Sequence, residues 1–212
     1  MMDMDWAPPC GSTSITPGFG PGVMVETTEG PLPAEWLRAG DRVLTRDHGY
    51  RPLAWVGRTP VGPDDLPVCI PAGTLGKGLP EHDLILSPGH HLLLRSPLVE
   101  LYFATPEALA RVTDIASEAE HSAPTDPLPD GFAYTQLALS DHEVLLAEGV
   151  WLESYLPLDS ALARLDSAQV AALGRALGPG LEQMQSARLC LRSEETPLLR
   201  PRSAVAARRM AA

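Results

Sequence analysis

Apolar residues in this chain fall in short runs, each closed within a few positions by Gly, Pro or Asp. That punctuation limits the fold more than any other feature. Runs of roughly four to eight residues bounded by turn residues suit strands, whereas a stable helix needs about ten or more. Segments 23–27 (VMVET), 42–45 (RVLT), 51–61 and 68–70 (VCI) read as strands, with turns at 29–31 and 47–49. Segments 83–86 (DLIL) and 91–94 (HLLL) flank the turn Ser87-Pro88-Gly89-His90. Segments 132–139 and 143–147 flank Ser140-Asp141, and the Pro-rich stretch 118–130 reads as a loop. Many short strands joined by turns predict a mainly β protein, a compact all-β domain.

Helix signals are fewer. Segment 33–37 supplies one helical turn at most. Segment 106–112 (PEALARV) is predicted to be a short helix, with Thr105 as N-cap and Pro106 at the first helical position. The character changes after Pro157. Asp159 or Ser160 can cap an amphipathic helix over 161–177, with Leu162, Leu165, Val170, Leu173 and Leu177 on its apolar side. Gly178-Pro179-Gly180 stops it, and a second helix is expected over 181–191. The expected organisation is a loose lead-in at 1–17, a β domain at 18–157 and a helical, basic tail at 158–212. The tail is expected to stay out of the sheet and to end frayed.

Net charge is −11 and unevenly placed. From Ser186 onward there are six Arg and two Glu, so the rest of the chain carries −15. An acidic body argues against nucleic acid as a partner, because phosphate binding needs a basic face. The basic tail is either a solvated end or fits an acidic surface, the chain's own body included. Three widely spaced cysteines, Cys10, Cys69 and Cys190, form neither a disulfide framework nor a zinc-ligand pattern. The first residues are acidic with no apolar core of a leader peptide, and no apolar run approaches the ~20 residues of a membrane span. The expectation is a cytoplasmic protein without a membrane span, with leaderless secretion left open. No cofactor is expected, a protein partner is left open, and the oligomeric state is not legible.

Four segments carry a family resemblance: Gly18-Phe19-Gly20-Pro21-Gly22-Val23-Met24-Val25-Glu26-Thr27; Leu37-Arg38-Ala39-Gly40-Asp41-Arg42-Val43-Leu44-Thr45, running on to Trp55-Val56-Gly57; Leu86-Ser87-Pro88-Gly89-His90-His91; and His142-Glu143-Val144-Leu145-Leu146-Ala147-Glu148-Gly149, followed by Glu153-Ser154-Tyr155. In order and spacing they resemble the bacterial Hint (Hedgehog/intein) domains over about 18–157. The resemblance implies a Hint-like fold and an ancestral self-cleavage. In that chemistry a Cys or Ser side chain attacks the preceding carbonyl, and an imidazole moves the protons. It places the nucleophile at Gly18, which has no side chain, and the histidine of a Thr/Ser-x-x-His motif at His90, with Ser87 in the Thr/Ser position. Where an intein ends in His-Asn, this chain has Glu153-Ser154, and a Ser hydroxyl cannot perform the Asn cyclisation. The resemblance therefore implies a vestigial site of His90, Ser87 and His142 around Gly18, in a binding or scaffolding protein. An active domain using Cys10 or an upstream Ser with His90 stands as the alternative. So does an unrelated β domain that binds a small ligand.

Each candidate also has a plainer reading. His90 can simply hold its turn, His142 reads best as a hydrogen-bonded core residue, and His91 as structural or exposed. Sequence spacing gives no support for a metal on His90, His91 and His142. Cys69 and Cys190 read as packing, as do Trp36, Trp55 and Trp151, while Asp41 and Asp47 read as turn residues. Lys77 lies in the Gly-rich segment 73–78, which lacks the ending of a phosphate loop.

Overall fold

A computed structural model describes residues 16–62, 65–116, 128–129, 131–199 and 201–206. Among the described residues thirteen short strands dominate: β1 (Met24–Thr27), β2 (Gly30–Pro33), β3 (Arg42–Thr45), β4 (Gly49–Pro52), β5 (Trp55–Pro60), β6 (Val68–Ile70), β7 (Leu84–Leu86), β8 (His91–Leu94), β9 (Ala108–Arg111), β10 (Ala133–Ala138), β11 (Val144–Ala147), β12 (Val150–Glu153) and β13 (Leu189–Cys190). The mainly β expectation is met. Nine strands form one sheet in the order β13-β9-β8-β12-β11-β1-β3-β4, with β2 on β1. Two ribbons, β5–β10 and β6–β7, stand beside it.

Residues 18–20 join the two ribbons. Phe19 bridges both Leu86 and Thr135. It exchanges backbone hydrogen bonds with Thr135 at 2.9 and 2.8 Å, while the Gly20 N–H donates to the Ile85 carbonyl and the Ser87 N–H to the Gly18 carbonyl. The segment is thus threaded between β7 and β10 with its backbone polar groups occupied, as a buried strand requires. The main core packs Phe19, Val25, Leu86, Leu92, Leu137 and Leu152 together.

Some elements differ from expectation. The helix predicted at 106–112 is absent. A helix, α1 (Pro97–Phe103), lies just upstream, and Ala108–Arg111 is β9. Ser96-Pro97 carries the same capping signal as Thr105-Pro106, and the Ser96 hydroxyl accepts the Val99 N–H at 3.4 Å. Pairing of β9 with β8 then buries Ala108, Leu109 and Ala110. The helix expected over 161–177 is split. A single turn, α2 (Asp159–Leu162), precedes α3 (Ser167–Leu177), which a capping box of Asp166 and Gln169 starts afresh.

No second helix follows at 181–191. A 3-10 turn covers Gly178–Gln183, and β13 then pairs in parallel with β9. The tail therefore enters the sheet. Farther on, Val205 bridges Leu94, and the Ala206 N–H donates to the Leu93 carbonyl. Trp55 and Trp151 are buried as expected, but Trp36 is 68% exposed. Among the described residues no helix is long and apolar enough to cross a membrane.

Candidate functional site

The turn after β7 and the threaded segment meet at Gly18. The Ser87 hydroxyl donates to the Thr16 carbonyl at 2.8 Å, one peptide upstream of the Pro17 carbonyl that a nucleophile at position 18 would attack. His90 closes the turn, its N–H bonded to the Ser87 carbonyl at 3.0 Å. Its ring packs edge-on to Phe19 with centroids 4.7 Å apart. The imidazole is buried, and neither ring nitrogen has a hydrogen-bond partner of good geometry, although the backbones of Gly18 and Glu153 face it. Burial drives the His90 pKa down from 6.5 to about 4, against the pull of the Glu153 carboxylate. At neutral pH the ring is a neutral, unpartnered base beside Gly18.

Two residues of β10 complete the surroundings. A side chain built on Gly18 would place its Cβ 2.7 Å from the Tyr134 Cβ and 3.1 Å from the Gln136 amide nitrogen. Tyr134 is held by its hydroxyl, which donates to the Asp65 carbonyl at 2.6 Å. Gln136 is buried with both amide atoms unpartnered, and so is the Thr16 hydroxyl. Alternation along β10 turns Tyr134 and Gln136 to one face, toward Gly18. The sequence reading picked out neither. The period-two pattern was visible, but its partner strand was not.

Behind His90 lies a buried carboxylate. Glu153 Oε1 accepts from His91 Nδ1 at 2.6 Å and from the His91 backbone N–H at 2.9 Å. Its other oxygen stands 3.7 Å from His142 Nε2. Burial alone would raise the Glu153 pKa, but the charge of His91 and the contacts with His142 and His91 outweigh it and hold the carboxyl well below its usual range. His91 is therefore buried and paired. His142 is a satisfied core residue. Its Nδ1 accepts the Ala187 N–H at 2.9 Å, and its Nε2 faces the Ser154 carbonyl at 3.0 Å, so the proton belongs on Nε2. The Ser154 hydroxyl accepts the Glu143 N–H at 2.9 Å. His90, Ser87 and Gly18 are brought together, and His142 joins them only through Glu153.

The remaining candidates are structural. Asp41 accepts the Arg38 N–H within its turn. Asp47 instead pairs with Arg188 of the tail at 2.7 Å. Cys69 is a buried thiol, while Cys190 is half-buried and disulfide-bonded, not simple packing. Cys10, Ser12 and Ser14, the upstream nucleophiles considered, lie outside the described residues. Among the described residues no group of three or more metal-ligating side chains converges.

With this geometry in place, the comparisons fix the family. The Hint domain family model matches residues 17–159, and the chain belongs to that family. Among solved structures it is similar to a splice-inactive, GSH-linked variant of the AceL NrdHF class 3 split intein, at 12% identity and a TM-score of 0.42, over 65% of this chain and 97% of that one. No curated protein matches.

Proposed function

We propose that this Hint domain is degenerate, has lost self-processing, and serves as a binding or scaffolding module. The observation that carries the reading is Gly18. The residue that the family resemblance puts at the nucleophile position has no side chain, and a Cβ added there would meet Tyr134. A neutral imidazole without a nucleophile can move a proton but cannot form an ester or thioester.

Intact mass of the purified chain tests the reading. The mass should hold over days, with or without dithiothreitol or hydroxylamine, both of which cleave thioesters. Thiol-dependent fragmentation starting at or near Cys10 would instead favour an active domain with an upstream nucleophile.

A further inference from the structure

The family match ends at residue 159, yet the chain beyond it reaches back to the histidine cluster. Ala187 donates its backbone N–H to His142 Nδ1 at 2.9 Å. Arg188, next in sequence, is clamped between Asp47 at 2.7 Å and Glu107 at 3.0 Å, and Glu107 is shared with Arg46. Leu189 and Cys190 then extend the sheet on β9, and the Leu191 N–H donates to the Leu109 carbonyl. The positive tail of a negative chain is thus seated by charge, and its first bonded amide lands on a site histidine.

We propose that the strand segment from Ala187 to Cys190 is an intramolecular latch that fixes the tautomer of His142. With Nδ1 taken by an incoming N–H, the ring keeps its proton on Nε2 and directs it at the Ser154 carbonyl, beside Glu153 Oε2. Without the Ala187 N–H, the ring loses the contact that keeps its proton on Nε2. The single ring proton is then no longer confined to Nε2. Ala187 is a positioning residue. It acts on the cluster through His142, whose neighbour Glu153 also accepts from His91. The groups facing His142 are therefore Glu153 and the Ser154 carbonyl from the end of β12, and Ala187 from the tail. The latch goes beyond the loss of self-processing and does not depend on it.

Heteronuclear NMR of the imidazole nitrogens in the full-length chain tests the latch, with dithiothreitol present so that the Cys190 disulfide does not hold the strand. Wild type should show the neutral Nε2–H form at His142. Ala187→Pro removes the donor and should shift the His142 nitrogens toward the other tautomer. Unchanged nitrogens in a folded Ala187→Pro protein would overturn the proposal. Arg188→Ala covers the case in which Ala187→Pro does not fold. It should lower amide-exchange protection at Leu191 by about tenfold, the scale of one hydrogen bond, and move the His142 nitrogens in step. Lost protection with an unchanged His142 overturns the latch, and so does unchanged protection. Intact mass is recorded on the same samples, so any self-cleavage, which bears on the degenerate reading, is scored separately.

Discussion

His90 is the residue in which burial and chemistry meet most plainly. Its pKa is about 4 in the fold against 6.5 for an ordinary histidine. Between those values the unfolded chain binds a proton that the folded chain does not. Stability is therefore full above about pH 6.5 and falls as the pH drops toward 4, by up to about 3 kcal/mol. Glu153 adds to this in stronger acid. Its depressed pKa supplies stability that is present above the unfolded value of about 4.3 and lost as the pH falls below it. Urea titrations between pH 7 and 4 should show the His90 slope, and His90→Phe should flatten it. That variant should also gain about 1–2 kcal/mol at neutral pH, because two unpartnered polar atoms leave the core. An equal acid slope in His90→Phe would place the titrating group elsewhere. Gly18→Cys tests the other half of the site. The new Cβ meets Tyr134, so the variant should lose about 1–3 kcal/mol. Any cleavage that it restores at Pro17–Gly18 should fall about 10²–10⁴-fold when His90→Ala is added. Cleavage indifferent to His90 would make the imidazole purely structural. At this scale the sequence pointed to Ser87 and His90 through one local motif and to Gly18 through a separate one, and the structure brings the three together. Tyr134, Gln136 and Ala187 arrive through strand pairing across long separations, which local patterns do not encode.

Elements were legible wherever one signal acted alone. Residues 91–94 and 144–147 are apolar runs between turns, and both are strands. Where two signals competed, tertiary pairing decided. The sequence ALAR at 108–111 has fair helix propensity, but β8 offers it a full antiparallel ladder, and the upstream Ser96-Pro97 signal takes the helix instead. The tail misled in the other direction. Residues 181–191 carry helix formers, yet Gly178–Gln183 winds as a 3-10 turn and the next residues run out to β9. The start of α3 shows what a local signal is worth here. Asp166 accepts the Gln169 N–H at 2.7 Å, and the Gln169 side chain returns a bond to the Asp166 N–H at 3.3 Å. Asp166→Ala should cost about 1 kcal/mol, read as a lower urea midpoint at unchanged m-value. No change would mean that the packing of Leu173 against the cluster around Trp55 and Tyr155 already holds the helix.

For the whole molecule, the question is whether the Hint part stands alone. The sequence suggested that 18–157 would. Yet the main core includes Leu191, Leu199, Ala204 and Val205, all from the tail. Burying each large apolar side chain contributes roughly 1.5–3 kcal/mol. Losing Leu191, Leu199 and Val205 therefore removes on the order of 5–9 kcal/mol. That is comparable to the 5–15 kcal/mol that holds a typical domain together. The cut would also strip Leu165 and Leu173 from Trp55 and Tyr155, uncover the edge of β9, and leave His142 Nδ1 and Glu107 without their tail partners. A chain ending at Pro157 should accordingly keep much of its far-UV β signal, lose near-UV signal from Trp55 and Trp151, and unfold in urea without a cooperative step. The full chain should show one sharp transition. If the 1–157 chain unfolds cooperatively with native near-UV signal, the β domain is self-sufficient and the tail is an accessory.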